Sequence, residues 1–124
     1  MSNLTATVQS GDWKSEKHVP VIKAPESVKK DESFIVTAVV GEEIAHPNTF
    51  EHYIKWIKVF FKPESGKFPV EVASVDFDAH GESGILTDFC ANVSIKIQES
   101  GELMAMSYCN IHGLWENSVP VKCE

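Results

Sequence analysis

Apolar residues along this chain recur at a period of two or in short unbroken runs. Val93, Ile95 and Ile97 alternate with Ser94, Lys96 and Gln98, which describes a strand with one buried and one solvated face. Comparable signals fall at residues 34–40 (FIVTAVV), 53–62 (YIKWIKVFFK), 70–78 (VEVASVDFD), 92–98 (NVSIKIQ) and 103–109 (LMAMSYC). Within 70–78 the apolar parity shifts between Val72 and Val75, which predicts a β-bulge near Ala73 or Ser74. Gly101 and Glu102 sit where a hairpin turn would join the last two long strands, and residues 1–17 read as loop, broken by Gly11 and Asp12. No long stretch carries a helical pattern. Short strands punctuated by turn signals predict an all-β fold, an antiparallel β-sandwich or barrel, as a single domain over residues 1–124.

Charge narrows the partners. Eighteen acidic residues against eleven basic ones give a net charge of −7, and every basic residue is a lysine. Such a surface repels phosphate backbones and anionic membranes, and no arginine fork is available for bases or phosphates, so no nucleic-acid partner is expected. No apolar run is long enough for a membrane span, and the first residues (MSNLTATVQS) lack the basic-then-apolar pattern of an export signal. Cys90, Cys109 and Cys123 cannot all pair within one chain, which suits free thiols in a reducing cytoplasm. Cys90 is expected to be a small hydrophobe in or beside a strand, and Cys123 an exposed thiol near the terminus.

Chemistry concentrates in short blocks. Cys109 and His112 (CNIHGLW, residues 109–115) follow a strand; they could reach one metal if that strand ends in a tight turn whose N–H groups also face the thiolate. A buried cysteine beside a chance histidine reads equally well. His46 and His52 bracket HPNTFEH, where Pro47 extends His46 and Asn48 with Glu51 reads as a capping box around one helical turn. Two solvated loop histidines are the plainer alternative. Glu16, Lys17 and His18 (EKHVP, residues 16–20) alone read as a solvated charge run before a strand. His80, in AHGES (79–83), has no cysteine or second histidine beside it and is expected to be a hydrogen-bonded or surface residue rather than a ligand.

Taken together, Cys109, His18, His46, His52 and His112 offer one thiolate and four imidazoles. Structural zinc takes four ligands, and calcium or magnesium prefers oxygen. Four coplanar imidazoles over a thiolate would leave the opposite position open, which suits a redox iron; spacing alone leaves that geometry unproved.

The blocks EKHVP (16–20), HPNTFEH (46–52), AHGES (79–83) and CNIHGLWE (109–116) together resemble the superoxide reductases, the neelaredoxin-type and desulfoferrodoxin iron-centre proteins. The resemblance is to the single-iron form, without a preceding CxxC-bearing module. It implies an immunoglobulin-like β-barrel, one mononuclear non-haem iron (ferrous or ferric) per chain, and one-electron reduction of superoxide to hydrogen peroxide without oxygen release. By motif, His18, His46, His52 and His112 would be equatorial ligands and Cys109 the axial one. Glu16 would be the sixth ligand in the oxidised state only, and Lys17, with Lys14 adding to its field, would attract superoxide and help deliver protons. A rubredoxin-like electron donor and a homotetramer are further implications. Phe50 stands where relatives usually carry a small polar residue, and Tyr53 where another histidine is common.

Two readings compete with the reductase. A cupredoxin-like copper electron carrier would also place an upstream histidine and a late Cys-x-x-His on a β-sandwich. That site usually takes an axial methionine soon after the histidine, whereas residues 113–124 contain none and Met104 and Met106 precede Cys109. A structural protein with adventitious zinc leaves the combination of EKHVP and CNIHGLW unexplained.

Overall fold

Alternation between buried and open positions is sustained longest in β4 (Ile54–Pro63), β7 (Gly101–Cys109) and β8 (Gly113–Cys123), and these three strands form the centre of the larger sheet. The computed structural model describes residues 3–124. Its larger sheet adds β2 (Ser27–Val28) beyond β8 and β5 (Val70–Asp76) beyond β4. A three-stranded sheet runs in the order β1 (Val21–Lys23), β3 (Phe34–Val39), β6 (Cys90–Ile95). Every pairing is antiparallel except the short one between β2 and β8. Two single 3-10 turns, Thr5–Thr7 and Glu82–Gly84, are the helical pieces among the described residues, and no helix there is long and apolar enough to cross a membrane. The expected all-β sandwich is the observed architecture.

The core lies between the sheets. Phe34, Val36 and Ala38 of β3 meet Ile54, Ile57, Val59 and Phe61 of β4 and Leu103, Ala105 and Cys109 of β7 in one buried cluster. Each large aliphatic or aromatic side chain buried this way stabilises the fold by roughly 1.5–3 kcal/mol. Parity along β4 shifts between Ile54 and Ile57 because Lys55 is an extra residue in the pairing with β7, where Ile54 faces Cys109 and Trp56 faces Tyr108. That bulge lets two fully buried side chains, Ile54 and Cys109, meet at the end of the sheet.

Several sequence expectations need correction. The bulge in β5 falls at Val72, since Val59 pairs with Ala73 and Phe60 with Glu71, one residue before the expected place. Residues 101–102 are no hairpin turn: β6 and β7 belong to different sheets, and Gly101 pairs with Pro63 on one side and Val121 on the other. Glycine is needed there for close approach, because a Cβ would lie 2.3 Å from the Lys62 carbonyl oxygen. Strand β8, which the sequence reading did not mark, is the longest of all. Its Pro120 fits because β2 reaches only Lys122 and Cys123, leaving an open edge opposite the residue without an N–H. Cys90 opens β6, in a strand as expected, but is exposed rather than packed as a hydrophobe, and Cys123 at the end of β8 is half-buried rather than exposed.

Candidate metal centre

Three separate stretches reach the same end of the larger sheet. The first is residues 18–20, all buried, which lie against it through two side-chain bonds: Ser107 Oγ donates to the His18 carbonyl (3.3 Å) and Asn117 Nδ2 to the Pro20 carbonyl (2.9 Å). The second is the 46–52 loop that feeds β4. The third is the turn between Cys109, the last residue of β7, and Gly113, the first of β8, which face each other in register. Gly113 has φ +83°, the left-handed conformation glycine takes without strain, and it closes a turn of three residues.

The predicted helical turn in the second stretch does not form. Thr49, not Asn48, caps the turn: its Oγ1 accepts the His52 N–H at 3.1 Å, and its own N–H donates to the His52 carbonyl at 3.0 Å. Asn48 instead turns its amide to the Thr87 carbonyl (3.0 Å).

These stretches bring four imidazoles into a ring. Neighbouring centroids are 4.8 Å apart for His18 and His46, 4.6 Å for His46 and His52, 4.9 Å for His52 and His112, and 4.8 Å for His112 and His18. Adjacent planes are inclined by 60–76°, like the blades of a pinwheel. His112 Nδ1 lies 3.1 Å from His18 Nε2, 3.2 Å from His52 Nε2 and 3.8 Å from Cys109 Sγ. Donor atoms of His18, His46, His52 and Cys109 all lie within 4.8 Å of one another. Cys109 is fully buried, and its sulfur accepts the His112 backbone N–H at 3.3 Å, the turn contact that would favour a thiolate.

Outer hydrogen bonds decide which nitrogens face inward. His18 Nδ1 donates to Glu16 Oε1 at 2.6 Å, and the same oxygen accepts the His18 backbone N–H at 2.9 Å. His46 Nδ1 donates to the Pro47 carbonyl at 2.7 Å. His46 Nε2 is then a buried polar atom with no hydrogen-bond partner. A buried lone pair without a donor is costly, and a cation bound at the ring would satisfy it. Burial, against the pull of the Pro47 carbonyl, lowers the pKa of His46 to about 4. Burial likewise lowers His18, despite Glu16 beside it, and His52, with His112 adding to the effect. Partial burial pushes the Glu16 carboxyl up, but its hydrogen bonds from His18 outweigh this and hold it below its ordinary value. Four imidazoles around a buried sulfur form a donor set suited to a redox metal rather than to calcium or magnesium, and it fits iron.

Lys17 is half-buried, and its charge disfavours protonation of His18, His46 and His52 alike. Lys14 instead rests over the Trp13 ring, 5.7 Å from its centroid. His80 stays out of the ring and bonds the Thr49 carbonyl through Nε2 at 2.7 Å. The copper-carrier alternative fails on the donor set, because a blue-copper site takes two imidazoles and here four converge.

Two residues escaped the sequence reading although both sit in the CNIHGLW block. Asn110 ties the second stretch to the third: its Oδ1 accepts the Tyr53 N–H (2.9 Å), its Nδ2 donates to the Glu51 carbonyl (2.9 Å), and its N–H donates to the Tyr53 carbonyl (3.2 Å). Trp115 stacks on His18, with centroids 4.7 Å apart and planes at 12°, while its Nε1 donates to the His112 carbonyl at 3.2 Å. Their position beside proposed ligands was the available signal.

Comparison with known proteins agrees with this geometry. The profile of the family described as desulfoferrodoxin matches residues 10–118. The chain is 50% identical over 119 residues to the superoxide reductase of Thermococcus kodakarensis, covering 96% of this chain and 99% of that protein. It is 49% identical over 120 residues to the neelaredoxin of Megalodesulfovibrio gigas, covering 91% and 92% respectively. Its fold matches the superoxide reductase (neelaredoxin) of Archaeoglobus fulgidus in the reduced form with a TM-score of 0.86 and 45% identity, over 94% of this chain and 98% of that one. A family profile that spans all three converging stretches, together with relatives sharing half their residues along nearly their whole length, means that the chain belongs to the desulfoferrodoxin family.

Proposed function

We propose that this chain is a superoxide reductase whose single iron is held by His18, His46, His52 and His112 around Cys109. What carries the reading is the convergence of four ring nitrogens on one buried sulfur, with His112 exposed and His52 half-buried at the surface side of the ring. Bound iron supplies the one-electron couple for the reaction O2•− + e− + 2H+ → H2O2.

The chain's own groups do the rest. Glu16 and Pro47 occupy the outer nitrogens of His18 and His46, which keeps the inner nitrogens unprotonated and fixes both ring orientations. The His112 N–H stabilises negative charge on the fully buried Cys109 sulfur. Lys17 provides a local positive field in a chain of net charge −7, drawing an anionic substrate to the ring and helping to deliver protons. Glu16 is also the candidate sixth ligand of the oxidised state. Here one of its carboxylate oxygens, Oε1, is engaged by both the backbone and the ring nitrogen of His18. A rubredoxin-like protein supplies the electron, and the working form is a cytoplasmic homotetramer.

The test is product stoichiometry on iron-loaded, pre-reduced protein exposed to a superoxide pulse. The expected result is peroxide equal to the superoxide consumed, with no oxygen evolved. Half as much peroxide accompanied by oxygen would mean dismutation and would overturn the assignment.

A further inference from the structure

Residues 79–87 contribute nothing to the ring of imidazoles, yet they grip the loop that carries two of them. His80 Nε2 lies 2.7 Å from the Thr49 carbonyl oxygen, which can only accept, so Nε2 bears the proton. Asn48 Nδ2 donates to the Thr87 carbonyl at 3.0 Å. Asn48 and Thr49 both lie between His46 and His52. Thr49 passes the restraint onward, since its Oγ1 accepts the His52 N–H and its N–H donates to the His52 carbonyl.

The His80 ring is itself held firmly. It stacks on Tyr53 with centroids 3.8 Å apart and planes at 24°, and it stands edge-on to Phe50 at 5.7 Å. Its backbone N–H donates to Glu82 Oε1 at 2.8 Å. The segment closes on itself through the Gly81 N–H to the Ile85 carbonyl (2.7 Å) and the Thr87 N–H to the Ala79 carbonyl (3.3 Å). Gly81 has φ +105°, and a Cβ there would sit 2.7 Å from Phe50 Cζ, so this backbone passes directly against the ligand loop.

We propose that His80 is a positioning residue for the iron centre, fixing through the Thr49 carbonyl the turn that aims His52. This rests on the iron site proposed above. Outer groups that orient metal-bound side chains are typically worth 10–100-fold in metal affinity or activity, and His80 acts one residue further out, through a backbone carbonyl. An effect of about tenfold, at the lower end of that range, is therefore expected.

The test compares iron-loaded wild type with His80→Ala, His80→Gln and His80→Asn. A glutamine amide reaches about as far as Nε2 and keeps the donor, whereas an asparagine amide ends near the Nδ1 position and falls short. Two quantities are read: the rate at which a strong chelator removes ferrous iron, and the thiolate-to-ferric absorption band of the oxidised protein. His80→Ala and His80→Asn should release iron about tenfold faster and shift the band, with His80→Gln close to wild type. Merely structural damage would lower the melting temperature and leave the band in place. An unmoved band with unchanged iron release in folded His80→Ala overturns the proposal, and so does His80→Gln behaving like His80→Asn. If His80→Ala does not fold, the Gln and Asn pair decides. Wild type that retains no iron would overturn the centre itself, and the role of His80 with it.

Discussion

Acidification should destabilise the metal-free chain before most of its carboxylates titrate, with His46 responsible for much of the loss. Its imidazole is 8% exposed and is held neutral, with its pKa lowered from 6.5 to about 4. Between those values the unfolded chain binds a proton at His46 and the folded chain does not. Stability therefore rises with pH across this window; the contribution is complete above about pH 6.5 and is lost as pH falls towards about 4. At about 1.4 kcal/mol per pKa unit, the whole window amounts to about 3 kcal/mol, a large share of the 5–15 kcal/mol typical of a folded domain. Urea unfolding of chelator-treated protein at a series of pH values measures it, with His46→Gln as the non-titrating comparison. The variant should show a pH dependence shallower by about one proton, or about 1.4 kcal/mol per pH unit within the window. His18 and His52 are lowered as well, so they steepen both curves in the same direction and largely cancel. Equal slopes in the two proteins would refute the buried, neutral assignment of His46.

Three further outcomes are expected. Cys109→Ser should abolish superoxide reduction while leaving far-ultraviolet circular dichroism unchanged; retained wild-type turnover would remove the axial thiolate. Lys17→Ala should slow the second-order reaction with superoxide by about tenfold at low salt and flatten its dependence on ionic strength. An unchanged rate would place the steering charge elsewhere. Asn110→Ala deletes two side-chain hydrogen bonds that join the His52 and Cys109 stretches, and at about 1 kcal/mol each it should lower unfolding free energy by about 2 kcal/mol in a urea titration.

Much of the framework was legible because a sheet with one buried face writes itself as alternation. The runs at 34–40, 53–62 and 103–109 became β3, β4 and β7 with small changes at their ends. Strand β8 was hidden by Gly113, Asn117 and Pro120, which read as turn residues out of context. In the fold, Trp115 and Val121 are buried while Glu116, Ser118, Pro120 and Lys122 are exposed, so the alternation was present beneath them. Gly101 misled in the opposite sense, because a glycine required by close packing looks the same in sequence as one required by a turn. At the site, the histidines and Cys109 could be chosen from residue types and motif blocks. Which nitrogen of each ring faces inward depends on Glu16, Pro47 and the 109–113 turn, and that is a property of folded geometry rather than of spacing. Asn110 was missed for the same reason, since its bonds reach back nearly sixty residues to Glu51 and Tyr53.

The register that sets Cys109 opposite Gly113 and Ile54 opposite Cys109 also bears on the order of events in folding. The converging side chains run from His18 to His112, so in an unfolded chain they are separated by loops whose closure carries a large entropic cost. Only after β4, β7 and β8 have zipped together do the three stretches share one end of the sheet. On this ground iron should be captured by a nearly finished fold and should do little to nucleate it. A contact made after the folding barrier acts on the reverse reaction, so bound metal should prolong the life of the native state by slowing its unfolding, while the rate of folding stays that of the bare β-sandwich.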